Sequence, residues 1–406
     1  MKASVFTLGC KVNETESACI MASLEKCGWE VTDKLCPADI YVLNTCAVTS
    51  EAEKKSRQLV ARARKFNPAA QIYVCGCASE KDANRFYERG VTFVTGARNK
   101  EEILKAIASR FGGETCGLSL PKQTKTRAFV KIQDGCNNFC SYCIIPYLRG
   151  REKSRKTEDI LGEIMQTPCP EIVLNGINIS SYGYDGITLT DLIKSLADVR
   201  KRIRLGSLEC RVITEEFLSA LKNLHDFAPQ FHLSLQSGSD AVLKAMNRHY
   251  TREEYLAKCA LIYSYFPNAA ITTDIIAGFS GETEEDFAQS ISIIEEAGFS
   301  RVHAFAYSPR EGTVAYKMKD VPPDIKSRRL HTLLNAAESA SARYIAGLTA
   351  KTTDFIAEEY DGAYTTGYTG NYVKIYIPAK LACGKKYKIT VVKSFRDGAE
   401  AKLFEI

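Results

Sequence analysis

The chain has 406 residues, 45% hydrophobic and 25% charged, with a net charge of +6 and fifteen cysteines. That length predicts two or three domains, the composition excludes a disordered or fibrous protein, and no apolar run approaches the roughly eighteen residues that a bilayer span requires. The charge permits a polyanionic partner without demanding one, and so many thiols on a long chain point to metal or redox chemistry in a reducing compartment rather than to disulfides.

Leu8-Gly9-Cys10 has the form of a lipoprotein cleavage site, but the short stretch after Lys2 is interrupted by Ser4 and Thr7. It is too brief and too polar for a signal segment, and a cytoplasmic, membrane-free protein is expected. Ala3–Leu8 reads as a strand, Glu14–Lys26 as a helix, Ile40–Leu43 as a strand and Ser50–Lys65 as a basic helix. Strands at Gln71–Val74 and Val91–Thr95 and a helix at Lys100–Arg110 complete a doubly wound α/β domain over residues 1–118. Gly112-Gly113 and the polar run to Thr126 read as a linker.

Over residues 127–340 the alternation restarts on a larger scale. Strands are expected at Phe129–Gln133, Glu171–Leu174, Arg204–Leu208, Phe231–Leu235, Ile271–Ala277 and Val302–Tyr307. Helical patterns fill the gaps, at Thr157–Gln166, Thr214–Leu224, Arg252–Tyr265 and Thr283–Ala297. Six such units suit a partial (β/α)6 barrel, whose chemistry gathers at the C-terminal strand ends. Residues 342–406 change character, with short β-rich runs at Thr353–Glu358, Tyr372–Ile377 and Tyr387–Val392. A small C-terminal β-barrel of about five strands is expected there.

Cys136, Cys140 and Cys143 form a C-x3-C-x2-C run directly after the first barrel strand. Three thiolates can bind three irons of a 4Fe–4S cubane and leave the fourth iron open to the amino and carboxylate groups of S-adenosylmethionine (SAM). A structural zinc site would want a fourth ligand, and no His or Cys follows within twenty residues. Cys19, Cys27, Cys169, Cys210, Cys259 and Cys383 read as small packed hydrophobes, and Cys36 and Cys116 have no assigned place.

The triplet with Ile144–Arg151, together with Leu235-Gln-Ser-Gly-Ser239, Met246-Asn-Arg248, Asp274–Thr283 and Tyr307–Thr313, resembles the radical SAM methylthiotransferases across essentially the whole chain. The family's usual Pro is replaced by Ser280. The resemblance implies a C-terminal TRAM domain and a second 4Fe–4S cluster in the N-terminal domain. Cys10, Cys46 and either Cys75 or Cys77 each follow a predicted strand, and parallel strands deliver such ends to one edge. The two-residue side-chain period puts Cys75 and Cys77 on the same face; the family pattern favours Cys77. Buried structural cysteines are the alternative.

Strand-end position and the resemblance together nominate Tyr142, Asn178, Glu209, Gln236 and Arg248 as SAM contacts, and Gly278–Glu282 as a tight turn on the adenine side. Basic residues concentrate at Lys54, Lys55, Arg57, Arg62, Arg64 and Lys65, at Arg149, Arg151, Lys153, Arg155 and Lys156, and over Asn371–Arg396. The last stretch has six Lys, one Arg and no acid, with Tyr372, Tyr376, Tyr387 and Phe395 among them. That composition suits RNA phosphates and stacked bases.

The resemblance therefore implies a tRNA methylthiotransferase recognising the anticodon stem-loop and assisted by a reductant protein. The subgroup most resembled adds a methylthio group to C2 of N6-threonylcarbamoyladenosine at position 37. One SAM methylates a sulfur at the auxiliary cluster and another yields a 5′-deoxyadenosyl radical. The alternatives are methylthiolation of isopentenyladenosine in tRNA or of a ribosomal-protein aspartate, and an RNA-binding protein with structural clusters.

Overall fold

A computed structural model describes residues 1–112, 117–121 and 126–404. The linker region and Cys116 lie largely outside the described residues. The chain divides into two compact units. One joins residues 1–122 to 134–153 and 308–316, and the other holds 123–133, 154–307 and 317–406.

The first unit is built on β1 (Lys2–Thr7), α1 (Lys11–Lys26), β2 (Glu30–Thr32), β3 (Ile40–Thr45), α2 (Ser50–Phe66), β4 (Gln71–Gly76), α3 (Cys77–Lys81), α4 (Asn84–Tyr87), β5 (Phe93–Val94) and α5 (Glu101–Phe111). The sheet runs β2-β1-β3-β4-β5 and every pairing is parallel, the doubly wound arrangement expected. The central strands β3 and β4 are apolar on both faces because helices cover both. Tyr41, Leu43, Ile72 and Val74 pack with α2, while Ile40, Val42, Tyr73 and Cys75 pack with α1 and α5. The strand Glu30–Thr32 was not expected; a three-residue edge element carries too little periodicity to read.

The chain continues through β6 (Arg127–Asp134), α6 (Ile145–Arg149), β7 (Lys153–Ser154), α7 (Thr157–Gln166) and β8 (Glu171–Gly176), then a small hairpin of β9 (Gly183–Tyr184) and β10 (Ile187–Thr188). Next come α8 (Leu189–Ser195), β11 (Arg202–Leu205), β12 (Ser207–Leu208), α9 (Glu215–Lys222), β13 (Gln230–Leu233), α10 (Asp240–Ala245) and α11 (Arg252–Tyr265). The series closes with β14 (Ala270–Ala277), α12 (Glu284–Glu296), β15 (Arg301–Ala306) and α13 (Pro323–Ala346). All six expected barrel strands form, with one refinement. The Arg204–Leu208 strand breaks at Gly206, whose amide bonds Leu174 O at 2.8 Å, so β11 pairs with β8 and β12 pairs with β13. The bend turns one row of strands into two four-stranded sheets that share a corner, an open partial barrel.

Alternate residues on these strands divide the barrel. Ile132, Ile172, Ile203, Phe231, Ile271 and Val302 join the helix-covered core. The other face is the barrel interior, and at the N-terminal strand ends it is charged. Arg204 is fully buried and bonds Glu171 through two nitrogens, at 2.7 and 3.2 Å. Its remaining donors reach the carbonyls of Gly370 and Thr369 at 2.9 and 3.2 Å.

Those carbonyls belong to the closed C-terminal barrel of β16 (Thr352–Tyr360), β17 (Thr365–Thr369), β18 (Lys374–Ile377), β19 (Lys386–Phe395) and β20 (Gly398–Leu403), ordered 16-17-18-20-19. Its five strands match the expected number, and α13 runs on to Ala346, past the expected boundary near residue 341. No helix among the described residues is long and apolar enough to cross a membrane.

Gly238 shows how tightly the second unit is assembled. A β-carbon there would lie 2.4 Å from Gln289 O and 2.7 Å from Ser290 Cα, inside the helix α12 backbone. Gly238→Ala is expected to cost about 1–3 kcal/mol through overpacking, read as a lower denaturant midpoint with an unchanged slope.

Candidate iron–sulfur and SAM site

Three cysteines from separate strand ends converge in the first unit. Cys10 caps the N-terminus of α1 after β1, Cys46 follows β3, and Cys77 opens α3 after β4. A β-carbon on Gly9 would sit 3.3 Å from Cys46 Sγ, and the Cys77 thiol feels the charge of both Cys46 and Cys10. Three soft sulfur donors in one place, drawn from distant segments, fit an iron–sulfur cluster.

Cys75 does not join them. The expectation that Cys75 and Cys77 share a face fails because the strand ends at Gly76, whose φ of +106° breaks the two-residue period. Cys75 points into the α1/α5 core, where burial pushes its thiol up to about 12. Cys77 instead packs on the α2 side. Gly76 is required by space as well as by φ, since a β-carbon would lie 2.3 Å from Thr45 O.

Asn13 holds two of the three loops. Its Nδ2 donates to Leu8 O at 2.9 Å and Thr45 O at 3.1 Å, just before Cys10 and Cys46. Asn44 in turn donates to Asn13 O and to Ser17 Oγ, both at 3.0 Å.

The third loop meets Arg149. The sequence places this residue in a basic run, but its side chain is only 1% exposed. Nη1 donates to Glu16 Oε1 at 3.0 Å and to both Asp134 oxygens at 3.0 and 3.1 Å. Nη2 donates to Asn13 Oδ1 at 2.6 Å and Glu16 Oε2 at 3.2 Å. Nε is buried and has no oxygen partner, and the guanidinium lies within hydrogen-bonding reach of the Cys77 sulfur. Lys100 completes the group through an ion pair to Glu16. Burial pushes the Cys77 thiol up to about 11, and Arg149 is the main charge opposing that rise.

The Cys136–Cys143 loop belongs to the same unit. It begins at Gly135, with φ of +71° and no room for a β-carbon against Arg151 O at 2.1 Å. Cys136 N donates to Gly150 O at 3.1 Å and Cys143 N to Cys140 O at 2.9 Å, while Ala315 N donates to Ser141 O at 2.7 Å. Glu152 holds Asn137 Nδ2 at 3.1 Å. The loop is thus pinned from both flanks, with Cys140 buried and Cys136, Tyr142 and Cys143 half-buried. Arg310, in the motif Tyr307–Thr313, is buried against Ser50 and Glu53 of α2.

The remaining nominated SAM contacts lie in the second unit, beyond strand ends. Asn178 N donates to Gln133 Oε1 at 2.9 Å and its Nδ2 to Glu209 Oε1 at 3.2 Å, so these two nominees meet. Gln236 sits at φ of +76° and bridges to β14, its N–H donating to Asp274 O at 2.8 Å. Arg248 donates to Ser234 O at 3.1 Å and to Tyr250 Oη at 3.0 Å. Within the Gly278–Glu282 turn, Glu282 accepts from Gly278 N at 2.8 Å and pairs with Arg329 at 2.8 Å.

The basic surfaces are thinner than the sequence implied. Arg57 pairs with Glu53 and Lys55 with Glu51, while Arg64 donates to the carbonyls of Pro68, Ala70 and Gly90. Tyr372 stacks on Tyr368 at 4.7 Å between Arg127 and Arg204, and so is a packing residue rather than an open base platform. Exposed Arg396 lies 5.0–5.3 Å from the rings of Tyr364, Tyr376 and Phe395 at the β19–β20 turn. Cys27 and Cys383, expected to be packed, are exposed, whereas Cys169, Cys210 and Cys259 are buried.

Comparison with known proteins covers both units. Residues 2–96 match the uncharacterized protein family UPF0004, and residues 130–294 match the radical SAM superfamily. The threonylcarbamoyladenosine tRNA methylthiotransferase MtaB of Bacillus subtilis is 35% identical, over 96% of this chain and 93% of its own. The tRNA-2-methylthio-N(6)-dimethylallyladenosine synthase of Thermosipho africanus is 37% identical, over 88% of each chain. The fold resembles that of the radical SAM methyltransferase TsrM from Kitasatospora setae, with a TM-score of 0.55, 12% identity and 76% of each chain covered.

Replacing Arg149 by Met would remove one of the two cations that face Glu16 and Asp134, leaving one negative charge uncompensated in a largely buried group. A loss of about 3–5 kcal/mol is expected, measured as the change in unfolding free energy of the metal-free protein in urea.

Proposed function

Because the chain belongs to the radical SAM tRNA methylthiotransferases, we propose that it adds a methylthio group to C2 of N6-threonylcarbamoyladenosine at position 37 of tRNA. Cys136, Cys140 and Cys143 hold the cluster that binds SAM, and Cys10, Cys46 and Cys77 hold a second one. The observation that carries this reading is the convergence of those last three thiols in the unit that also holds the Cys136–Cys143 triplet. When bound, the clusters and SAM supply the radical and the sulfur.

The chain's own residues position and shield. Arg149 fixes the Cys77 side of one site and, through Asp134, the strand end that leads into Cys136. Asn178, Glu209, Gln236 and Arg248 are tied to strand ends by hydrogen bonds, so they meet a ligand already oriented, and they are assigned with Tyr142 to SAM. A reductant protein supplies electrons.

The dimethylallyladenosine synthases are as similar by identity as the threonylcarbamoyl enzymes. The contexts Cys10-Lys-Val-Asn-Glu and Asn-Thr-Cys46-Ala-Val-Thr favour the latter. Mass spectrometry of tRNA nucleosides from cells with and without the protein decides between them. Loss of 2-methylthio-N6-threonylcarbamoyladenosine is the expected result, and loss of the isopentenyl product instead would overturn the substrate assignment.

Cys75 and Cys77 give a sharper test of the second cluster. Anaerobically reconstituted Cys77→Ala should lose up to about half of its iron, while Cys75→Ala should keep it. The reverse pattern in an iron assay would reassign the ligand.

The tRNA is gripped in part by the C-terminal barrel, through Arg396 and its ring cluster. Arg396→Glu should weaken tRNA binding and reduce the slope of log K against log salt by about one, measured by filter binding across a salt series.

A further inference from the structure

The interior face of the barrel carries a polar ladder on β13, β14 and β15 that none of the cluster or SAM assignments uses. Gln230 Nε2 donates to Thr272 Oγ1 at 3.1 Å, and Thr272 Oγ1 meets His232 Nδ1 at 2.9 Å. His232 Nε2 meets Asp274 Oδ2 at 3.2 Å, and the His303 ring lies 5.8 Å from that of His232. Two neighbours thus fix the His232 ring, and Asp274 is committed to it on one oxygen.

The outermost strand, β15, alternates from Arg301 to Phe305. Val302 is buried and Ala304 half-buried against the core, whereas Arg301, His303 and Phe305 are exposed on the other face. The register sets Arg301 opposite Thr272 and His303 opposite Asp274. The Arg301 guanidinium makes no hydrogen bond or ion pair among the described residues. Phe305 is 47% exposed, a large ring left uncovered toward the C-terminal end of the strand.

Spacing orders these three. Same-face side chains on a strand are separated by roughly 6.6 Å. A planar base resting on Phe305 would send a substituent past His303 toward Arg301. An apolar substituent there would strip water from the Arg301 cation and return nothing. A substituent ending in a carboxylate would accept from Arg301, with the His303 ring beside it.

We propose that Arg301 and His303, backed by the His232–Asp274 pair, bind the carboxylate of the N6-threonylcarbamoyl group, with the adenine stacked on Phe305. This rests on the substrate reading given above and names the residues that select it.

Two anticodon stem-loop RNAs test it, one carrying N6-threonylcarbamoyladenosine at position 37 and one carrying the same group with its carboxylate converted to carboxamide. The wild-type holoenzyme should favour the carboxylate in kcat/KM by roughly tenfold to a hundredfold. In Arg301→Leu and His303→Leu that ratio should fall toward one, while Arg301→Lys should retain most of it. Because only folded enzyme turns over either RNA, the ratio separates selectivity from stability. Equal use of the two RNAs by the wild type, or an undiminished ratio in the Leu variants, overturns the pocket alone. A wild-type enzyme that modifies only isopentenyladenosine RNA overturns the substrate reading and the pocket with it.

Discussion

The buried guanidinium of Arg149 is the contact on which the first unit depends. Its Nη1 and Nη2 donors go to Asn13, Glu16 and Asp134, and the guanidinium as a whole lies within reach of the Cys77 thiol. Each partner leads to a different piece of the site. Asn13 leads to the loops of Cys10 and Cys46, and Asp134 to the start of the Cys136 loop. A lysine could not replace this geometry, because a point ammonium lacks the planar fork that reaches several acceptors at once. The surrounding charges are balanced locally, with Lys100 and Arg149 facing Glu16 and Asp134. The proposed cluster site therefore begins from near neutrality rather than from an accumulated negative field.

Close backbone approach is the second constraint. Gly76 and Gly135 each precede a cysteine or lie one residue from it, each has positive φ, and each leaves no space for a β-carbon. Such positions let a strand end turn abruptly so that the next side chain faces the site rather than the core. The same economy governs the barrel, where Gly206 lets one strand serve two sheets.

Much of this was legible in the sequence, for identifiable reasons. Strands covered on both faces announce themselves as apolar runs, and βα alternation gave the barrel strands nearly to the residue. What was hidden were long-range pairings. Arg149 sits in a basic run, and nothing local distinguishes it from Arg151; only Glu16 and Asn13, more than a hundred residues earlier, explain its burial. Cys75 and Cys77 could not be separated while the strand was assumed to continue, because the turn at Gly76 is a φ choice and not a pattern. Tyr372 looked like a base platform for the same reason: the two arginines that enclose it, Arg127 and Arg204, come from barrel strands.

The thiols themselves set how such a site is filled. Burial raises Cys46 as well as Cys77, so in the metal-free protein the dominant forms at neutral pH are thiols. Iron binds thiolate, so a cluster held here would displace protons from a largely buried site. Arg149 lowers that cost at Cys77 by offering a permanent cation, and at Cys46 it acts in the same direction after burial, the Val48 amide and the Cys10 thiol. Cys10, by contrast, is exposed at the mouth of the group. A cluster held by these three residues would thus have one ligand open to solvent at Cys10 and two shielded from it at Cys46 and Cys77, so the same arrangement that leaves an entrance for iron keeps most of the sulfur dry.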